Sequence, residues 1–212
     1  MIRVIVVDDH PIVRRGFVSL LAHEADIEVC GDVGDAPAAL AAVQELVPDV
    51  VLVDVSLGGA SGIDLTRELK ERVPRSQVLV VSMHDELLYA DRSLRAGASG
   101  YVMKHEPPEQ IVRAIRAVAA GGMFVSETVS QHLVQRWATN GAPRDESPLA
   151  GLSDRELHVL ELMGRGLGTR AIAEQMHISI KTVESYRARL KDKMNLRSGA
   201  ELVRFAVRWA EK

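Results

Sequence analysis

Val4-Ile5-Val6-Val7-Asp8-Asp9 stands near the start of the chain, and Val50-Val51-Leu52-Val53-Asp54 repeats its form further on. In each, four consecutive apolar residues run straight into a carboxylate. A strand with one face in water alternates apolar and polar residues. Four apolar residues in a row, mostly β-branched, read instead as a strand covered on both faces, as in a parallel sheet layered by helices. Val78 to Val81 has the same form, and Ile27 to Val33 and Gly100 to Met103 are shorter-lived versions of it. The stretches between have helical spacing and helical punctuation. Pro11 suits a first turn, Asp35 a cap, and Gly97 follows Leu94-Arg95-Ala96 where a left-handed residue would close a helix. Five strand-helix units in succession predict an open, doubly wound α/β domain over residues 1–125.

Beyond it the pattern changes. Glu127 to Trp137 reads as one more helix, and Thr139 to Pro148 as a polar connection with two prolines, so 126–148 is expected to be a linker helix and loop. From 149 to 212 strand signals stop. Ser153-x-x-Glu156 has the form of a capping box, and Leu157, Leu160 and Met163 then share one helical face. Helices are predicted over Ser153 to Gly164, Thr169 to Met176, Ile180 to Met194 and Ser198 to Ala210. The expectation is α/β plus all-α, with a small four-helix module whose core gains from tethering or dimerisation.

The 212 residues are 47% hydrophobic and 26% charged, which excludes a disordered chain, a collagen repeat and a disulfide scaffold. The net charge of -3 hides an uneven split. Residues 151 to 212 hold 12 Lys/Arg against 8 Asp/Glu, a balance of +4, and the preceding 150 residues carry -7. Two modules with different partners are expected. Cys30 is the only cysteine and reads as a small core residue. No apolar run approaches the roughly 18 residues of a membrane span, and no basic segment followed by an apolar one opens the chain. A cytoplasmic protein without a membrane partner is expected.

Asp8 and Asp9 follow the first strand, Asp54 the third, Ser82 the fourth and Lys104 the fifth. In a flavodoxin-like strand order the crevice lies beyond the carboxyl ends of strands one and three, where the three carboxylates would converge. Three anions at close range need a cation, and a hard, oxygen-loving ion such as Mg²⁺ suits them. Carboxylates, a hydroxyl and an ammonium together suit phosphoryl transfer onto an aspartate. Taken singly, each residue reads more readily as a cap, a turn or a solvated charge. All five at the ends of the right strands, in order, outweigh that. His10, His84 and His105 lack metal-ligand spacing and read as surroundings. Gly58-Gly59-Ala60-Ser61-Gly62 fits neither a dinucleotide fingerprint nor a Walker loop.

On Val7-Asp8-Asp9-His10, Val53-Asp54, Val81-Ser82 and Gly100-Tyr101-Val102-Met103-Lys104, residues 1–125 resemble the receiver domain of two-component response regulators. Residues 149–212 resemble a LuxR-type helix-turn-helix, and together they resemble the NarL/FixJ family. The resemblance implies that Asp54 is the phosphoacceptor and that Ser82 and Tyr101 form a switch pair. It implies that Asp9, Asp54 and the backbone carbonyl of Ser56 hold Mg²⁺, with Asp8 beside them. It further implies a sensor histidine kinase as donor, a homodimer on activation, double-stranded promoter DNA as target, and a regulator rather than an enzyme. There are departures. Leu57-Gly58-Gly59 replaces the frequent Met-Pro, so the acceptor loop is expected to be less restrained. Met83 replaces a small residue and is expected to narrow access to Asp54, and His105 stands where a proline is common. These departures keep a second reading open, a phosphorylation-independent regulator whose receiver serves dimerisation or ligand sensing. A third, a Mg²⁺-dependent phosphatase with Asp54 as nucleophile, meets Ser56 where such enzymes often carry a second aspartate.

In the tail, Ala173 lets two helices approach, Ile172 and Val183 pin them together, His177 sits in the turn and Ser179 caps the second helix. That helix is basic. A basic helical face is usually only solvated, but Thr182-Val183-Glu184-Ser185-Tyr186-Arg187 resembles the LuxR-type recognition-helix core. Lys181, Thr182, Glu184, Ser185 and Ala188 are expected to face the groove, and Arg187, Arg189 and Lys191, with Tyr186, to serve the DNA backbone or the core. Glu184 stands where Lys is common; it would accept from a cytosine amino group or simply weaken nonspecific binding. Leu202, Val203, Phe205 and Ala206 are expected on a dimerising last helix.

Overall fold

The structure, a computed structural model, describes residues 1–138, 149 and 151–210. The chain divides into two compact units, Met1–Gly141 and Ala142–Lys212. The strands are β1 (Ile2–Val7), β2 (Ile27–Val33), β3 (Val50–Val53), β4 (Ser56–Leu57), β5 (Ala60–Ser61), β6 (Gln77–Ser82) and β7 (Gly100–Met103). Helices α1 (Pro11–Leu21), α2 (Ala36–Leu46), α3 (Gly62–Arg72), α4 (Glu86–Arg95), α5 (Pro108–Ala119) and α6 (Glu127–Ala138) complete the first unit.

Five strands form one parallel sheet in the order β2-β1-β3-β6-β7. The order reverses between β1 and β3, as a flavodoxin-like fold requires. Val50 to Val53 are at most 2% exposed, which is why β3 shows no alternation. On one face Val4, Val6, Leu52, Leu79 and Val102 pack with Phe17 and Leu21 of α1 and Ile111 and Ile115 of α5. Burying each such side chain contributes roughly 1.5–3 kcal/mol before the entropy of ordering it is subtracted. The helix starts follow their punctuation: Pro11 opens α1, and the Asp35 carboxylate accepts from the Ala38 backbone N–H at 2.8 Å. Gly97 takes φ +101 after α4.

Two expectations need correction. Cys30 is only half-buried, because β2 is an edge strand. The acceptor loop is not loose: β4 and β5 form a small antiparallel hairpin, turned by Gly58 (φ +45) and Gly59 (φ +98). Met83 is 61% exposed and lines the cleft that opens beside Lys104 and His10. The helix expected in 126–148 is α6, which packs against α4 and buries Val129. Ahead of it, Phe124 runs beside β7, accepting from Tyr101 N–H at 2.9 Å and donating to the Ser99 carbonyl at 3.0 Å. The connection expected over 139–148 lies outside the described residues.

The second unit holds α7 (Asp154–Gly164), α8 (Thr169–Gln175), α9 (Ile180–Lys193) and α10 (Gly199–Ala210). The capping box is formed, with Ser153 and Glu156 each bonding the other's backbone N–H. Ile172 and Val183 are fully buried, and α8 packs on α9. His177 takes φ +52 in the turn between them. Leu202 and Ala206 are also fully covered, on the side of α10 that packs against α7. They belong to this unit's own core and are not free to form a dimer face. Val203 and Phe205 remain partly exposed.

Candidate functional site

Register builds the first site. Val7 of β1 pairs with Val53 of β3, so both strands end at the same level and deliver Asp8 and Asp54 side by side. The Asp54 N–H donates to the Val7 carbonyl at 2.9 Å, which fixes this end. Ser82 pairs with Met103, and the Lys104 N–H donates to the Ser82 carbonyl at 2.8 Å. Asp8, Asp9, Asp54 and Lys104 converge as expected, and Ser82 ends the strand that pairs with the one before Lys104.

Lys104 reaches across the pocket floor. Its ammonium lies 2.5 Å from Asp8 Oδ2 and 2.8 Å from Asp54 Oδ2. Both carboxylates are buried. Burial pushes the Asp54 carboxyl above the usual carboxylate range, a push opposed by Lys104 and reinforced by Asp8. Burial alone would lower the Lys104 ammonium, but the charges and hydrogen bonds of Asp54 and Asp8 outweigh it and hold it above its ordinary value. Asp9 Oδ2 accepts from Gly58 N–H at 2.8 Å, tying the β4–β5 hairpin to the pocket. Asp9 Oδ1 is buried and makes no hydrogen bond. His10 Nδ1 lies 2.7 Å from it, at ion-pair distance. Ligand atoms of Asp8, Asp9, His10 and Asp54 all fall within 4.8 Å of one another. His10 thus stands beside the carboxylates.

Other residues that the sequence did not single out hold this frame. Arg14 of α1 donates to the Asp8 carbonyl at 2.6 Å and is braced by Asp32 at 3.1 Å. His84 gathers the switch region: its N–H donates to Ser82 Oγ at 3.2 Å, and its carbonyl accepts from the Tyr101 hydroxyl at 2.8 Å. Its ring is 2.9 Å from Ser56 Oγ and packs against Tyr89. Tyr101 is 2% exposed, with its ring turned inward. A cleft of about 590 Å³ opens beside Lys104 and His10, walled by Phe17, Leu20, Met83 and Ile111. Only the spatial meeting of these residues gives Arg14 and the His84 backbone their roles.

On α9, Lys181, Glu184, Ser185, Ala188 and Arg189 are exposed, and Thr182, Tyr186, Arg187 and Lys191 are partly so. Ser179 caps the helix, accepting from Thr182 N–H at 3.0 Å. Arg187 is turned back onto α8, where it donates to Thr169 Oγ1 at 2.7 Å. Arg189 lies over the Tyr186 ring at 5.9 Å. Lys193 is held by Glu156 at 2.6 Å and by the Gly151 carbonyl, and so is occupied within the unit.

Comparison with known proteins agrees with the two units. Residues 4–116 match the response regulator receiver domain, and residues 150–206 match the bacterial regulatory proteins of the luxR family. The chain is 35% identical over 210 residues to the oxygen regulatory protein NreC of Staphylococcus carnosus, covering 97% of each chain. Among solved structures it is similar to a LuxR-family two-component response regulator from Aurantimonas sp. SI85-9A1 (34% identity, TM-score 0.61, covering 65% of this chain and 99% of that one). It is also similar to RcsB of Salmonella enterica serovar Typhimurium bound to promoter rprA with phosphomimetic BeF3- (26% identity, TM-score 0.62, covering 97% and 98%). Among the described residues no helix is long and apolar enough to cross a membrane. A doubly wound unit with an acidic pocket at its switch point, followed by a helix-turn-helix, both matching known families, places the chain among the two-component response regulators of the NarL/FixJ family, whose members regulate transcription through a receiver and a LuxR-type DNA-binding domain.

Proposed function

We propose that Asp54 accepts a phosphoryl group from the phosphohistidine of a sensor kinase, and that this controls promoter binding by a homodimer of the chain. The observation that carries the reading is the Lys104 ammonium bridging buried Asp8 and Asp54 beneath the open side of the pocket. An Asp54 oxygen forms the new P–O bond as the donor's P–N bond breaks and the imidazole leaves. Lys104 then faces the phosphoryl oxygens with its positive charge. Ser82 already accepts from the His84 N–H, so its own hydrogen is left to donate to a phosphoryl oxygen. The three converging carboxylates, and the Asp9 oxygen that makes no hydrogen bond, suit Mg²⁺, which Asp9, Asp54 and the Ser56 carbonyl would hold with Asp8 alongside. When bound, it neutralises charge on the phosphoryl oxygens. The added charge of about -1.5 to -2 biases the Ser82–Tyr101 pair, and with it α4 and β7.

In this reading residues 1–125 receive the signal, 126–148 connect, and 149–212 bind DNA. Lys181, Thr182, Glu184, Ser185 and Ala188 face the major groove, and Arg189 and Lys191 approach phosphates. Arg187 braces α9 on α8 and reaches the DNA backbone only on leaving Thr169. The protein acts in the cytoplasm as a regulator, not as a turnover enzyme. Met83 at the cleft beside Lys104 motivates a second reading, a phosphorylation-independent regulator whose receiver serves dimerisation or ligand sensing.

Incubation with Mg²⁺ and a small acyl phosphate, read by intact mass, separates the two. One phosphoryl group on the wild type and none on Asp54→Asn supports the first. No label on either supports the second, and equal label on both removes Asp54 from the mechanism.

A further inference from the structure

We propose that Lys181 and Glu184 read a C·G base pair, with Glu184 accepting from the cytosine N4 amino group and Lys181 donating to the guanine edge of that pair or its neighbour. The inference rests on α9 being the helix that enters the groove, and adds which base it selects.

Lys181, Glu184, Ser185 and Ala188 form one exposed stripe along α9, spaced three, one and three residues apart. Half of that stripe has no charge to offer a base. The Ser185 hydroxyl donates to the Lys181 carbonyl at 3.0 Å. Next to it, the Thr182 hydroxyl is tied to Ser179 Oγ at 2.7 Å. Ala188 has no polar side-chain atom. The two charged groups of the stripe, which make the stronger hydrogen bonds, are the Lys181 ammonium and the Glu184 carboxylate. They are the second and fifth residues of the helix, in the N-terminal part from which a recognition helix reaches base edges.

Glu184 has no cation to neutralise it. Arg187, three residues on, is drawn away to Thr169. Ala188, four residues on, carries no charge, and among the described residues no cation lies within 4 Å of Glu184. An unpaired carboxylate carried between two phosphate backbones is repelled unless it meets a donor. The major groove offers two amino donors, cytosine N4 and adenine N6. Adenine sets the N7 acceptor beside its amino group, against the second carboxylate oxygen, whereas cytosine sets only a C–H there. Guanine and thymine present acceptors to the same position. Glu184 therefore favours cytosine and disfavours the other three bases, and the guanine paired with that cytosine offers O6 and N7 to Lys181.

The test is selection from a random-sequence duplex pool by the full chain, wild type and Glu184→Ala, with and without the acyl phosphate and Mg²⁺. Titrations at several salt concentrations follow. Wild type is expected to enrich cytosine at one position in each half-site. Replacing that cytosine should weaken wild type about tenfold and the variant by less than about twofold, with preferences elsewhere kept. Enrichment of adenine at that position overturns the assignment. So does a variant with unchanged base preference that binds every duplex more tightly by one common factor, since Glu184 then only repels phosphate. A wild-type chain that binds no duplex in a salt-dependent way overturns the reading of α9 itself, a different failure visible before any base preference is compared.

Discussion

At Gly62 a Cβ atom would lie 1.8 Å from the Asp54 carbonyl oxygen, with no flexible side chain to yield. The Gly62 N–H meanwhile donates to the Val55 carbonyl at 2.7 Å, so the backbone cannot retreat. Gly62→Ala must therefore move the Asp54 backbone, and Asp54 is seated by its register with β1. We expect a loss of about 2–3 kcal/mol in the first unit, seen in denaturant melts, and a fall of more than about tenfold in acyl-phosphate labelling. Gly16 is the control within the same unit. Nothing lies within 4 Å of a Cβ there and the residue is inside α1, so Gly16→Ala should gain about 0.5–1 kcal/mol. Equal losses in both variants would show that the close approach at Gly62 does not seat the acceptor. The sequence marks Asp54 because it ends an apolar run. It does not mark Gly62, Arg14 or His84, whose roles come from neighbours distant along the chain.

Elements announce themselves when a period or a cap is long enough to read. The β1 and β3 runs have no alternation because helices cover both faces, and the caps at Asp35, Ser153 and Ser179 are chemical signals three residues wide. The β4–β5 hairpin has two-residue strands, too short for any period, so its glycine-rich sequence reads as loose loop. Apolar spacing on α10 is equally ambiguous, since the same Leu202 and Ala206 serve a dimer face or a neighbouring helix, and α7 takes them. Glu156 shows how much one capping residue can join. It bonds the Ser153 N–H at 2.8 Å and Lys193 of α9 at 2.6 Å, linking the start of α7 to the end of α9. Burial pushes its carboxyl up, but the bonds from Lys193 and Ser153 outweigh this and hold it below its ordinary value. A carboxyl depressed by folding stabilises the fold above its unfolded pKa, and that stability fades as pH falls through the depressed value. Glu156→Gln should cost about 1–2 kcal/mol near neutral pH. The gap from wild type should narrow as pH drops below about 4. Thermal melts of the full chain, followed by a probe on the helical unit, measure this. A gap independent of pH would mean that packing, not charge, sets the contribution of Glu156.

Across the whole molecule the charge split sets how the chain meets DNA. The small net charge of -3 would suggest weak attraction to a polyanion, yet the first 150 residues carry -7 and the last 62 carry +4. Within the tail the cations are not equivalent. Lys193 is held by Glu156, Arg165 by Glu161 at 2.6 Å and Arg187 by Thr169. On α9, Lys181, Arg189 and Lys191 have no ion pair among the described residues; with Lys181 assigned to a base, Arg189 and Lys191 are the α9 cations proposed to displace counterions from phosphates. Binding to a promoter duplex should weaken as salt rises, with a log–log slope near -0.9 per phosphate neutralised. Arg189→Ala and Lys191→Ala should each make that slope shallower by about one for every bound subunit, with base preference unchanged. Arg116→Ala removes one positive charge too, but from a cluster with Glu24 and Asp26 in the acidic unit. It should leave the slope as it is. If the Arg116 variant shifts the slope as much as the α9 variants do, total charge rather than its placement on α9 governs binding.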